Sequence, residues 1–438
     1  MNPRIKLHQS LLLILLAFLM GCGGNQDKKP NVVLIMADDM GYECLSTYGS
    51  VEYKTPVLDS LAANGMKFSN CISQPLCTPS RVKIMTGLYN YRNYDYFGHL
   101  ANDQYTFGNL MKDAGYKTCI AGKWQLNGLA YKNEIPYWSD NMRPVKFGFD
   151  EYCLWQLTIP GNKGSRYANP VIEQNGGFVD ADSADYGPDI FADYVLDFIE
   201  RHRDTIFFIY YPMVLVHDPF VPTPDSKDWL DESTRTRKDT SYFSDMVAYT
   251  DKIVGRISGK LKKLNIDNNT LLIFTGDNGT HYTIYSQMQD EIIRGAKGNT
   301  IEHGIHVPLI AYWPDEMKKG RVFDGLIEFS DFFPTFADLV GLESNVDGTS
   351  FYQLLAGGNY TSRETAFVHY DPRWGKRVNQ YRNQFVMTTE YKLYQDGKFY
   401  KYSEDNLEEE DLGTALSPEE NETKEELQKQ LAIHPQWK

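Results

Sequence analysis

Asn31-Val32-Val33-Leu34-Ile35-Met36, running into Ala37-Asp38-Asp39, is the stretch on which the fold turns. An apolar run without alternation predicts a strand buried on both faces, the signature of a mostly parallel sheet. Ile206 to Tyr211, Thr270 to Phe274 and Val307 to Tyr312 read the same way, and Tyr116 to Ile120 is a weaker fifth. Helical patterns lie between them. Thr55-Pro56 opens one through Leu58, Leu61 and Ala62. Gly187-Pro188-Asp189 opens another through Phe191, Tyr194, Val195 and Phe198, and a third covers Phe243 to Leu264. Strands alternating with helices predict an α/β sandwich around a large, mostly parallel sheet over residues 31–354. The pattern then changes. Ala366 to Tyr370 and Gln384 to Thr389 read as strands, and Tyr391–Tyr394 and Lys398–Lys401 flank the turn Gln395-Asp396-Gly397. With a last helix from Pro418 to about Leu431, residues 355–438 predict a small C-terminal α+β subdomain.

Ligands in such sheets bind at the carboxyl ends of the strands. The first strand ends in Asp38-Asp39, and the strand from Thr270 ends in Gly276-Asp277-Asn278-Gly279. The strand from Ile206 leads to His217, and the weaker one ends in Gly122-Lys123-Trp124-Gln125. Asp38, Asp39, Asp277 and Asn278 offer only oxygen ligands, which suits a hard cation, Ca²⁺ or Mg²⁺.

The decisive motif is Cys77-Thr78-Pro79-Ser80-Arg81, followed by Met85-Thr86-Gly87. It resembles the signature of the type I sulfatases, formylglycine-dependent members of the alkaline phosphatase superfamily. The resemblance extends, in order, from Pro30 through Asp39, Gly122-Lys123-Trp124, His217-Asp218-Pro219 and Gly276 to Gly279. It continues through Lys297-Gly298, Glu302, Val307-Pro308, Asp331 to Thr335 and Asp347-Gly348. It implies an alkaline phosphatase-like fold and a sulfuric ester hydrolase. It also implies that a formylglycine-generating or sulfatase-maturating enzyme oxidises Cys77 to formylglycine (3-oxoalanine), whose hydrate attacks sulfur. One Ca²⁺ would be held by Asp38, Asp39, Asp277, Asn278 and the modified Cys77. Arg81 would stabilise the hydrate, Lys123 and Lys297 would hold sulfate oxygens, and His217 would protonate the leaving sugar oxygen.

Two departures stand out. Where the family usually has His, this chain has Gln125, which can hydrogen-bond the hydrate but cannot take its proton. His281 and His303 are candidates to substitute. Glu302-His303-Gly304-Ile305-His306 stands where the family usually has Glu-Gly-Gly-x-Arg, so His303 is also a candidate substrate contact.

The formal net charge of −14 argues against nucleic acid and anionic membranes as electrostatic partners. A sulfated glycan must therefore be held by local cations. The 30 Tyr and 23 Phe suit a large core first and sugar-stacking surface second. Tyr131 to Tyr167 and His369-Tyr370-Asp371-Pro372-Arg373-Trp374 are candidate subsites, with Arg373 as a substrate-binding cation.

At the N-terminus, Arg4 and Lys6 precede the apolar run Leu11 to Met20, too short to span a bilayer well and of signal-peptide proportions. Leu19-Met20-Gly21-Cys22 resembles a bacterial lipoprotein box. It implies a signal peptide over 1–21, lipidation of Cys22, a tether over 22–30, and an exported protein anchored at the cell surface or in the periplasm. Apart from Cys22 and Cys77, the cysteines are Cys44, Cys71, Cys119 and Cys153, enough for one or two disulfides in an exported chain. The expected substrate is a sulfated poly- or oligosaccharide, algal (ulvan, carrageenan) ahead of glycosaminoglycan. Two rivals are a phosphohydrolase of the same superfamily and a non-catalytic glycan-binding lipoprotein, the latter favoured only by Gln125.

Overall fold

The computed structural model describes residues 29–159, 164–289, 291–373 and 381–437. The expected signal segment, Cys22, most of the expected tether and Trp374 lie outside the described residues. The strands in chain order are β1 (Asn31–Ala37), β2 (Met66–Ile72), β3 (Lys117–Lys123), β4 (Glu151–Trp155), β5 (Ile172–Gln174), β6 (Gly177–Phe178), β7 (Phe207–Pro212), β8 (Thr270–Gly276), β9 (Tyr285–Gln287), β10 (Ile292–Arg294), β11 (His306–Tyr312), β12 (Arg321–Glu328), β13 (Ala366–Tyr370), β14 (Asn383–Met387), β15 (Lys392–Tyr394) and β16 (Phe399–Tyr400). Among the described residues, ten of them form one sheet in the order β12-β2-β11-β8-β1-β7-β3-β4-β5-β6.

β1 lies at its centre, parallel to β7 and β8, and β7 is parallel to β3. All seven residues of β1 are buried, as an uninterrupted apolar strand requires. Alternation splits its side chains between two cores. Val33 and Ile35 join one with the helices Gly187–Arg201 and Tyr242–Lys263. Val32, Leu34 and Met36 join the other with the helix Phe332–Val340. Parallel β1, β3, β7 and β8 bring their carboxyl ends to one edge, which places Asp38, Lys123, His217 and Asp277 together.

Three strand readings are corrected or extended. Val307–Tyr312 forms β11, but antiparallel to both β8 and β2 rather than parallel. β2 and β12, which pair parallel at the far edge, are not legible in the sequence. In β2 the half-buried Lys67, Ser69 and Asn70 break the apolar run.

The second sheet, β13-β14-β15-β16, is antiparallel throughout. The helix Pro418–Ala432 buries Leu427 and Leu431 against Phe367, Val386, Leu393 and Phe399 on one face. The other face packs Val368, Tyr370 and Phe385 on Leu76, Ile72 and Ile305 of the main body. Leu76 precedes Cys77, so this packing closes one side of the site. Cys44, Cys71, Cys77, Cys119 and Cys153 are all buried and free, which corrects the expectation of disulfides for the described residues.

Candidate active site

Cys77 is the first residue of the helix Cys77–Thr86, with Leu76 as N-cap. The unpaired N–H groups and the dipole at this end favour negative charge beside it. Gly87 ends the helix at φ 69°, where Gly87 N–H donates to Lys83 O at 2.9 Å. A Cβ there would stand 2.7 Å from that of Phe333, so both conformation and space call for glycine. Gly122 does similar duty in β3. At φ 112° it passes Pro212 of β7 so closely that a Cβ would lie 2.0 Å from the Pro212 carbonyl oxygen. That approach sets the position of the adjacent Lys123.

The acidic residues converge. One ligand atom each from Asp38, Cys77 and Asp277 lies within 4.8 Å of the others, as does one each from Asp38, Asp39 and His217. Lys123 Nζ, 1% exposed, sits 2.8 Å from both oxygens of Asp38. Lys297 Nζ donates to Asp39 Oδ2 at 2.5 Å. Asp277 Oδ1 accepts from Asp39 N–H at 2.9 Å, and Asn278 Nδ2 donates to Asp39 Oδ1 at 2.9 Å. Asp39 itself is held in the left-handed region at φ 59°, a strained conformation of the kind that gathers at functional sites.

Burial, followed by repulsion from Asp38, raises the Asp277 carboxyl well above its ordinary range. Burial also raises Asp39, against the opposing pull of Lys297. Burial works against the Lys297 ammonium, but the Asp39 carboxylate outweighs it and raises Lys297. Burial, then Lys297, Arg166 and Lys123, holds His217 well below its ordinary 6.5. Its Nε2 is 3.7 Å from Asp39 Oδ2, and its Nδ1 is 2.7 Å from Asp218 O.

The donor set fits a hard cation. Three buried carboxylates repel one another, and the amide Oδ1 of Asn278 is buried without a hydrogen-bond partner. A divalent ion would satisfy both. Arg81, fully buried, donates from Nη2 to the carbonyls of Lys123 at 2.7 Å and of Trp124. Its Nε and Nη1 have no hydrogen-bond partner.

A cavity of about 940 Å³ opens above these groups, lined by Cys77, Gln125, His217, Lys297, Tyr370 and His281 among others. Gln125, at φ 47°, has a buried Oε1 without a partner. His303 and Arg373 do not line this cavity, against the sequence expectation. His303 is 3% exposed, turned inward by the short helix Glu302–Ile305. Arg373 pairs with Asp371 Oδ2 at 3.0 Å and donates to Asp95 O at 3.0 Å. His306 is occupied elsewhere, with Nδ1 3.0 Å from Glu302 Oε1 and its ring stacked on Tyr42.

Sequence reasoning missed Arg166. Its guanidinium lies 3.9 Å over the Trp155 ring, and Nη1 is 3.6 Å from Asp38 Oδ2. No local motif marks it. Only the aromatic richness of the surrounding segment points there, and aromatic residues suggest stacking surface rather than a cation.

The family model "Sulfatase" matches residues 30–342, and the model "N-sulphoglucosamine sulphohydrolase, C-terminal" matches residues 297–434. Among curated relatives, the N-acetylgalactosamine-6-sulfatase of Canis lupus familiaris is 30% identical over 413 residues, covering 86% of this chain and 75% of that protein. The steryl-sulfatase of Homo sapiens is 27% identical over 447 residues, covering 82% and 75%. Among solved structures, one titled Ps i-CgsB superposes with a TM-score of 0.73 at 25% identity, covering 92% of this chain and 93% of that one.

Proposed function

The chain belongs to the sulfatase family of sulfuric ester hydrolases, and on that premise we propose that it removes sulfate from a sulfated oligo- or polysaccharide by way of a formylglycine made from Cys77. The observation that carries the reading is the meeting of Cys77, at a helix N-terminus, with three buried carboxylates and two buried lysines at one sheet edge. A formylglycine at position 77 supplies, as its hydrate, one hydroxyl to attack sulfur and a second whose deprotonation releases sulfate. Asp38, Asp39, Asp277 and Asn278 would hold a Ca²⁺, which would supply Lewis acidity toward the nucleophile and the sulfate.

The chain's own residues do the rest. Lys123 and Lys297 are buried beside the carboxylates and, with those carboxylates engaged by a cation, would be free to hold sulfate oxygens. Arg81, with two unpartnered nitrogens, hydrogen-bonds the hydrate. Arg166 adds a further positive charge near the leaving sulfate. His217 donates a proton to the sugar oxygen as the S–O bond breaks. The bound ester brings negative charge that offsets the three cations now depressing this imidazole, so substrate itself readies the acid. Gln125 hydrogen-bonds the hydrate, and His281, across the same cavity, takes up the proton that Gln125 cannot.

For the substrate, the relationship to N-acetylgalactosamine-6-sulfatases supports a sulfated amino sugar of a glycan at least as well as the algal polymer expected from the sequence. We carry forward lipidation of Cys22 and anchoring at the cell surface or in the periplasm as part of the proposal. The test is mass spectrometry of the Cys77 peptide from protein co-expressed with a formylglycine-generating enzyme, followed by assay of sulfate release from sulfated disaccharides. Thiol-to-aldehyde conversion with sulfate release is the expected result. An unmodified thiol, or an aldehyde with no release from any sulfated sugar, sinks the reading.

A further inference from the structure

A second cavity, of about 500 Å³, lies beside the reaction centre, and of its lining only Arg166 enters the chemistry above. The two cavities share a wall. His217 and Asp218 face the first, and Pro219, next in the chain, faces the second. Arg166 belongs to both regions, since it lines the second cavity while reaching to 3.6 Å from Asp38.

The charge of this cavity runs against the molecule. The chain carries a net −14, yet Arg166, Arg235 and Lys238 line the pocket and, among the described residues, no Asp or Glu does. Arg166 is fixed by its stack on Trp155. Arg235 is fixed without an acid: Nε donates to Trp229 O at 2.9 Å, Nη1 donates to Ser183 O at 2.8 Å, and the guanidinium lies over the Trp229 ring. Among the described residues, no carboxylate lies within ion-pair distance of Arg235 or Lys238. Nearby, Arg237 pairs with Asp228 and Lys252 with Asp225. A guanidinium oriented by backbone carbonyls and an aromatic face keeps its charge free for an anion.

We infer that this pocket is a second anion subsite, which holds an anionic group on the sugar next to the one bearing the scissile ester. The group is a second sulfate ester or a uronate carboxylate. This rests on the sulfatase reading of the first cavity and specifies its substrate: a glycan charged on adjacent residues rather than one with an isolated sulfate. The geometry explains why a strongly acidic protein can take a polyanion. Local cations in a concave wall outweigh the long-range field, which salt screens within about 8–10 Å.

The test uses three disaccharides that share one sulfate ester and differ in the neighbouring sugar: neutral, sulfated, or uronic acid. Binding to full-length Cys77→Ala protein is measured by calorimetry, which needs no turnover. Separately, mature wild-type enzyme is assayed on the neutral-neighbour disaccharide. Failure there and on both anionic-neighbour disaccharides, with Cys77 converted to the aldehyde, would sink the sulfatase reading and leave the binding result to stand on its own. We expect at least one anionic neighbour to bind about tenfold tighter than the neutral one, the value of one charge-assisted contact. The arm that tightens identifies the group as sulfate or carboxylate. Adding Lys238→Gln or Arg235→Gln to the Cys77→Ala background should remove the advantage. Lys238 is exposed, so its substitution remains decisive even if loss of Arg235 disturbs packing. Equal affinity for all three disaccharides, or an advantage that survives both substitutions, overturns the proposal.

Discussion

His217 meets two opposing demands. It is held neutral by burial and by neighbouring cations, yet in the proposed mechanism the departing sugar alkoxide takes a proton from it. His217→Ala should therefore lower kcat on a sugar sulfate by about 10²–10⁴. The same variant should lose far less on 4-nitrophenyl sulfate, whose phenolate leaves without a proton. Equal losses on both substrates would show that His217 only shapes the site. His281 is tested in the same way, by what accumulates. If it takes the proton that releases sulfate, His281→Ala stalls as enzyme still carrying sulfate on the Cys77 peptide, visible by mass, and Gln125→His in that background relieves the stall. Absence of sulfated peptide in His281→Ala would remove His281 from the mechanism. At this scale most of the site was legible. Asp38, Asp39, Asp277, Lys123 and His217 each stand at or just after a strand end that the apolar pattern marks. Arg166 was not legible, because its partner Asp38 is brought to it by the sheet across a long sequence separation. His303 and Arg373 stand outside the first cavity for a related reason: residue type suggests a ligand, but the backbone decides which way a side chain turns.

The helix Cys77–Thr86 shows why one element escaped a periodicity search. All ten of its residues are buried, so it has no apolar stripe to detect. The burial extends to Lys83, whose Nζ lies 2.6 Å from Glu328 Oε2, and Glu328 is shared with Arg363. Burial pushes the Glu328 carboxyl up, but Arg363 and Lys83 overcome it and hold it down to about 2. The C-terminal segment is fastened differently. His369 of β13 stacks on Trp437, 4.4 Å between ring centres, and bonds Gln384 Oε1 at 2.8 Å. Gln384 Nε2 in turn donates to Pro435 O at 3.1 Å. Burial lowers His369 to about 4. Between its ordinary 6.5 and that value the unfolded chain binds a proton that the folded one refuses, so this contribution to stability falls as pH drops from 6.5 to 4. Hydrogen exchange in 431–437 should accelerate over that window, and His369→Asn should flatten the dependence. Exchange independent of pH, after correction for intrinsic rates, would show that the segment is not held through His369. The turn at Gln395-Asp396-Gly397 and the final helix were readable, because turn chemistry and capping are local. The direction of β11 was not, because an apolar run reads the same either way.

For the whole molecule, the site is a concentration of negative charge at the centre of the main sheet. Asp38, Asp39 and Asp277 repel one another in a buried setting, and a bound cation would turn that repulsion into attraction. Ca²⁺ at a hundredfold over its Kd should stabilise the fold by roughly 2.7 kcal/mol and raise Tm by several degrees. A chelator should reverse the rise, and Asp277→Asn should blunt it. A Tm unmoved by saturating Ca²⁺ would show that these carboxylates do not hold the ion. The overall architecture was legible because β1, β7 and β8 are unbroken apolar strands. The far edge was not, because β2 and β12 owe their burial to what packs on them.

The burial of Cys77 also has a consequence in time. Its cover is made by segments that leave the ribosome long after it does. Gly298 N–H donates to Pro75 O at 2.7 Å, and Tyr370 closes the cavity from the second sheet. About 220 residues separate Cys77 from Lys297, which at ordinary synthesis rates is an interval on the order of ten to forty seconds. During that interval Cys77-Thr78-Pro79-Ser80-Arg81 lacks this cover and is open to another enzyme, and once the later segments dock Cys77 is 2% exposed. Any enzyme that modifies this cysteine therefore competes with folding, and the order in which the chain is made gives it a head start.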